Sequence, residues 1–274
     1  MTTRHLDTGT DELLCSVSDH VATITLNNPT KRNALSDNLT PALRRMIVAT
    51  REDPDVRVLV LTGAEGAFCA GGDIGGMGAS LAGGEAPEAE AMIERLQQGQ
   101  NTVSLALYEF PKPTIAALPG PAAGAGMSIS LACDLRIASE SAFLAPAFGA
   151  IGLSGDFGGS WYLSRLIGPG RAKDVYFSSR RIESNEALQL GIFNRVVTDE
   201  QLMPTTAYLA KSLAEGPPIA LAYMKENINR AATADLPTAL DWEADRMIRS
   251  MLTEDHKGAA QAFLEKRKPT FNGT

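Results

Sequence analysis

The chain has 274 residues, enough for one large domain or one domain with a helical appendage. Hydrophobic residues make up 44% and charged residues 21%, a balance that excludes a disordered or fibrous chain. The net charge of −7 argues against non-specific nucleic-acid binding, although a local cationic patch can still hold an anionic ligand.

Two short strands, 12–17 and 21–26, flank a Ser18-Asp19 turn and predict a hairpin. A helix fits 36–50, with Ser36 or Asp37 as its cap and Leu39, Leu43, Met46 and Ile47 on one face. The β-branched run 56–61 (VRVLVL) reads as a buried strand that stops at Thr62-Gly63. Residues 75–90, rich in glycine, alanine and acids, predict a surface loop that leads into a helix over 91–108. A strand at 114–118, a small-residue loop at 120–126, a buried helix at 127–133 and strands at 135–138 and 143–144 follow. Beyond about residue 158 the pattern reads as almost wholly helical: 159–167, 171–178, 185–190, 201–215, 219–230 and one long amphipathic stretch over 236–266. Strands alternating with helices predict an α/β fold.

Cys15, Cys69 and Cys133 form no C-x-x-C unit and sit in apolar or glycine-rich stretches, as free thiols of a reducing cytosol do. His5, His20 and His256 are too scattered for a metal site, so none is expected. The first residues lack the apolar core of a signal peptide, and no run of about 18 apolar residues exists. A cytoplasmic protein without a membrane span is the expectation.

Two loops carry the chemical signal. Residues 63–73 (GAEGAFCAGGD) follow a strong strand with four glycines, which allow close ligand approach and can aim backbone N–H groups at an anion. Such a loop is also suited to being a tight connector. Residues 120–126 (GPAAGAG) follow another strand and open a helix, whose first N–H groups are free and partly positive. Two loops of this kind suit the two halves of an oxyanion hole. A dinucleotide turn is the weaker reading, because the G-x-G-x-x-G spacing is absent and position 129 is Ile.

These segments resemble the crotonase superfamily, the enoyl-CoA hydratases and isomerases. The resemblance lies in 28–35 (NPTKRNAL), 67–74 (AFCAGGDI), 120–126 continuing to 131–134 (LACD), and 151–160 (IGLSGDFGGS). It continues through 180–182 (RRI), 186–191 (EALQLG), 194–197 (NRVV) and 263–271 (FLEKRKPTF), in family order. It implies a crotonase-like spiral of ββα units over 1–200 that binds an acyl-CoA, and a helical C-terminal region over 201–274 that trimerises. A homotrimer or dimer of trimers follows, acting as an isomerase or lyase of fatty acid metabolism. Coenzyme A enters as part of the substrate and no other cofactor is implied. The oxyanion-hole amides fall on Gly72 and Ala125. Ala70, Asp73 and Ile74 would line the adenine and pantetheine channel, with Lys31 or Arg32 and Lys266 near the coenzyme phosphates.

The family pattern breaks at the acid–base positions. The two glutamates of the hydratases correspond here to Ser128 and Phe148. One carboxylate remains nearby, Asp156, at a place where isomerases resembling this family shuttle protons. Asp156 is equally suited to cap the helix that begins near Gly158. The leading expectation is therefore an isomerase with Gly72, Ala125 and Asp156 as catalytic groups. A hydratase with water held by Asp156 and Ser128, or a non-catalytic acyl-CoA binder, stand as alternatives. Phe148, Phe157, Trp161, Tyr162 and Met127 are the aromatic and apolar residues available to surround the acyl group, or to form core.

Overall fold

A computed structural model describes residues 3–73 and 88–274. Ten strands form two sheets. In the larger, the order is β1 (Arg4–Leu6), β2 (Leu13–Ser18), β3 (Val21–Leu26), β4 (Val58–Gly63), β5 (Thr114–Leu118), β7 (Leu135–Ser139) and β10 (Arg195–Val197). The first three strands pair antiparallel and the rest parallel. The smaller sheet joins β6 (Ala122–Ala123), β8 (Phe143–Ala145) and β9 (Ile182–Glu183).

Single bridges extend the smaller sheet, joining Cys69 to Ala122 and Leu35 to Gly72. Each turn of the chain thus adds one strand to the large sheet and one short segment to the second layer. This is the ββα spiral that the sequence predicts.

Every residue of β4 is buried, as suits a parallel strand covered on both faces. Its side chains alternate: Leu59 and Leu61 join the main core, while Val58 and Val60 face a second apolar cluster with Ile115 and Ile137. Helix α1 (Leu39–Glu52) buries Leu39, Ala42, Leu43, Met46 and Ile47 on one stripe against the main core. Ser36 Oγ accepts from the Leu39 N–H at 2.9 Å and so caps its first turn.

Helix α2 (Ala89–Gln100) continues through a π-helical turn, Asn101–Leu105, to a last turn at Ala106–Tyr108. The expected loop at 75–90 lies outside the described residues apart from its end. Helix α3 (Ala125–Ala132) is wholly buried; α4 (Gly159–Ile167) packs beside it, and α5 (Pro169–Ser178) packs on α4.

The helical reading of the C-terminal half needs two corrections. Strands β9 and β10 interrupt it on either side of α6 (Ser184–Gln189), and three-residue β10 completes the large sheet beside β7. Strands this short carry too few residues for an alternating pattern. The long stretch over 236–266 is two helices, α9 (Leu236–Met251) and α10 (Glu254–Leu264). Thr253 ends the first and caps the second, its Oγ1 accepting from the His256 N–H at 3.1 Å. Between α6 and α9 lie α7 (Leu202–Ala214), whose Leu202, Ala210 and Ala214 close the second apolar cluster, and α8 (Pro218–Ala231).

Candidate active site

The two glycine loops meet at the C-terminal ends of β4 and β5. Leu35 N–H donates to the Gly71 carbonyl at 2.7 Å, and Asp73 N–H donates to the Leu35 carbonyl at 3.3 Å. These parallel-bridge bonds belong to Gly71 and Asp73, so the Gly72 N–H points to the opposite side. Gly71 has φ +97°, and a methyl placed on it would lie 2.9 Å from the Ala123 carbonyl oxygen and 3.3 Å from the Ala125 nitrogen. Only glycine allows both the conformation and that approach. Ala125 is the first residue of α3, one of the positions whose N–H has no intrahelical acceptor. Among the described residues, neither the Gly72 nor the Ala125 N–H donates to a backbone carbonyl outside the regular elements. The fold thus sets two free backbone donors side by side.

Asp156 lies in the loop between β8 and α4. That loop is held in unusual backbone geometry, with φ +120° at Gly155, +49° at Phe157 and +77° at Gly158. The π-helical segment of α2 supplies the support. Ser104 Oγ donates to the Phe157 carbonyl at 2.5 Å, and the Phe157 N–H donates to Gln100 Oε1 at 2.9 Å. Interrupted helices of this kind recur at functional sites.

The Asp156 side chain does not cap α4. Gly158 holds the cap position without a side-chain bond, and the Asp156 Oδ1 atom is buried with no hydrogen-bond partner among the described residues. Burial pushes its carboxyl up to about 6. Tyr176, on α5, has its hydroxyl buried and equally unpartnered. Burial, helped by the Asp156 charge, pushes that phenol up to about 12. Cys69 is likewise pushed up to about 12, chiefly by burial, which keeps it a neutral thiol at pH 7.

Ser128 and Phe148 are both buried beside these groups. Ser128 Oγ donates to the Gly124 carbonyl at 3.3 Å. Phe148 packs against the Gly124 position and stacks on Tyr176, with ring centroids 6.2 Å apart. Met127 and Phe157 are buried in the main core. Trp161 and Tyr162 go elsewhere: they pack with Tyr108, at 5.3 and 5.8 Å between centroids, as part of the scaffold behind α4.

The other residues singled out in the sequence divide into two groups. Arg32, Ala70 and Asp73 come together at the exposed rim of the Gly72 loop. The Ala70 N–H donates to the Arg32 carbonyl at 3.0 Å, and Lys31 pairs with Asp73 at 2.5 Å. Ile74 lies outside the described residues. Lys266 is exposed and stands apart from this rim. The tail after it is anchored by Lys268 to Glu215 at 2.5 Å, and by the Phe271 carbonyl, which accepts from Arg57 at 3.0 Å. Arg57 precedes β4, whereas the Gly72 loop leaves its far end.

Comparison with known proteins decides the family. A family model described as enoyl-CoA hydratase/isomerase matches residues 16–274. The chain belongs to the enoyl-CoA hydratase/isomerase family. It is 36% identical to the 1,2-epoxyphenylacetyl-CoA isomerase of Escherichia coli over 261 residues, covering 95% of this chain and 98% of that one. It is 37% identical to the short-chain-enoyl-CoA hydratase of Clostridium acetobutylicum over 251 residues, covering 90% and 92%. The crystal structure of an enoyl-CoA hydratase from Bacillus anthracis superposes with a TM-score of 0.88 at 34% identity, covering 96% of this chain and 100% of that one. Family members therefore include both hydratases and an isomerase, and the chain aligns with each over nearly its full length.

Tyr176 is the site residue that the sequence did not single out. It falls in an ordinary amphipathic helix, and no local motif marks a tyrosine there as facing a site. Only the folding of α5 against the 155–159 loop reveals it.

Proposed function

We propose that this member of the enoyl-CoA hydratase/isomerase family is an acyl-CoA isomerase that moves one proton through Asp156. The observation that carries this reading is the buried Asp156 Oδ1, which has no hydrogen-bond partner among the described residues, in a fold that also leaves the Gly72 and Ala125 amides without a backbone acceptor. Loss of the α-proton from an acyl thioester places negative charge on the thioester oxygen. Two preorganised N–H donors stabilise that enolate; removing one such donor typically costs about 2.7–4 kcal/mol of transition-state stabilisation.

Asp156 as the carboxylate takes the α-proton, breaking the C–H bond and forming its own O–H bond. It then returns the proton at the γ-carbon as the double bond shifts, so nothing is gained or lost overall. A carboxyl titrating at about 6 suits both halves of the transfer near neutral pH. Ser128 and Phe148 stand at the positions where the resemblance places the two hydratase glutamates, which favours proton transfer over the activation of water.

Arg32, Ala70 and Asp73 are proposed to line the coenzyme A portion of the substrate, together with Ile74. Lys266 would serve the phosphates of a neighbouring copy. The C-terminal helices expose Leu236, Met247, Leu252, Phe263 and Leu264, an apolar surface that suits the proposed homotrimer. The proposed reaction draws on the chain's own groups and the coenzyme A of the substrate alone.

Hydration remains the second reading, supported by likeness to a hydratase and by Ser128 Oγ beside the Asp156 loop. Incubating the enzyme with a panel of enoyl-CoA esters in deuterated water separates the two by mass. Isomerisation leaves the ester without added water and installs deuterium; hydration adds one water. A panel that shows the addition of water overturns the isomerase reading.

A further inference from the structure

The proton transfer proposed above uses Asp156 and leaves Tyr176 without a role. The Tyr176 ring stacks on Phe148 at 6.2 Å and 16°, and Gly155 abuts both rings, since a methyl there would come within 3.2 Å of Tyr176 Cε1 and 3.7 Å of Phe148 Cδ2. Its hydroxyl ends at Gly159. A methyl placed there would lie 2.6 Å from Tyr176 Oη and 2.3 Å from Ser128 Oγ. Only a bare glycine Cα lets both hydroxyls close on that point. Ser128 sits on α3 three residues after Ala125, so this point adjoins the amide pair.

Tyr176 Oη and Asp156 Oδ1 are both shut off from solvent, and neither has a hydrogen-bond partner among the described residues. Buried polar groups are nearly always paired, and an exception calls for a reason. The phenol is a donor at neutral pH and the carboxylate an acceptor, and they do not bond each other. A hydroxyl oxygen between them would satisfy both, accepting from Tyr176 and donating to Asp156.

We propose that Tyr176 is a specificity-determining residue, whose phenolic O–H donates to an oxygen substituent of the acyl chain. The site then favours an acyl thioester bearing a hydroxyl beyond the α-carbon over the plain hydrocarbon chain of the same length. This rests on the reading of the site as an acyl thioester site, but not on hydration or isomerisation. Phe148 and the Tyr176 ring supply the apolar wall, and the Tyr176 and Ser128 hydroxyls at Gly159 supply the polar end.

Calorimetric titration with butyryl-CoA, 3-hydroxybutyryl-CoA and 4-hydroxybutyryl-CoA tests it. The wild type is expected to bind at least one hydroxy ester on the order of tenfold more tightly than butyryl-CoA. Tyr176→Phe keeps the stacked ring and removes only the hydroxyl. It should abolish that preference, bringing the hydroxy esters to within about twofold of butyryl-CoA. A wild type without the preference, or a Phe variant that keeps it, overturns the proposal. A wild type that binds none of the three overturns the thioester reading beneath it.

Discussion

Ser104 donates to the carbonyl of Phe157 at 2.5 Å, and this bond holds the residue beside Asp156 at φ +49°. Ser104 can reach because α2 widens into a π-helical turn at that point, with Gln100 one turn away taking the Phe157 N–H. A non-glycine residue at positive φ persists only where its surroundings fix it. The carboxylate proposed to carry the proton is thus positioned by the helix that packs behind its loop. Ser104→Ala should lower the turnover of α-proton exchange severalfold with little change in KM. The stability loss, read from a urea melt, should be about 1 kcal/mol. A variant that exchanges at the wild-type rate would show that the loop holds Asp156 without this bond.

Ala125 offers a direct test of the amide pair. Proline is tolerated at the first position of a helix, because its missing N–H has no intrahelical acceptor there. Ala125→Pro should leave the circular dichroism spectrum unchanged and lower kcat by about 10²–10³-fold, the cost of one oxyanion donor. A smaller loss, confined to KM, would place the thioester oxygen elsewhere.

The Asp156 carboxyl shapes both rate and stability as pH changes. It titrates at about 6 in the folded chain against an ordinary 3.8. Below 3.8 it is neutral in both folded and unfolded states. Between 3.8 and 6 the folded state keeps a proton that the unfolded state releases, and stability falls as pH rises. Asp156→Asn escapes this loss. It should match the wild type near pH 4 and exceed it above pH 6 by on the order of 2 kcal/mol in chemical denaturation. Wild-type α-proton exchange should rise through pH 6 and level off, since the base is the carboxylate.

Arg136 anchors the far end of the helix that begins at Ala125. It is buried, and its guanidinium donates to the carbonyls of Ile192 and Cys133 at 2.6 Å each, with longer bonds to Asp134 and Leu131. Burial holds its pKa below the usual arginine value, yet the cation meets carbonyls left free at the C-terminus of α3. Arg136→Met should cost about 2–4 kcal/mol of stability in a urea melt, because three buried carbonyls and the half-buried one of Asp134 lose a donor.

Much of this arrangement was legible before folding, and the reasons differ by residue. The strand read at 56–61, found at 58–63, announced itself as a β-branched apolar run, the stripe on α1 as helical spacing of apolar residues, and the loops at Gly72 and Ala125 as glycine and alanine clusters after strands. Those features depend on neighbours close in sequence. Tyr176, Ser104 and Gln100 act across 20 to 57 residues, on helices whose local pattern only reports which face is apolar. The three-residue strand β10 and the Thr253 break escaped for a related reason, since a short element or a single cap leaves too little periodicity to read. Trp161 and Tyr162 could be assigned to site or scaffold only once Tyr108 was found against them.

The central claim is that Asp156 moves a proton to and from an enolate held by the Gly72 and Ala125 amides. Its most direct test is the mass of an acyl-CoA recovered after incubation in deuterated water with wild type and with Asp156→Asn. Once the proton on Asp156 exchanges with solvent, the wild type should install deuterium at the α- or γ-carbon, while the Asn variant binds the ester and leaves its mass unchanged. Full exchange by the Asn variant would contradict the account.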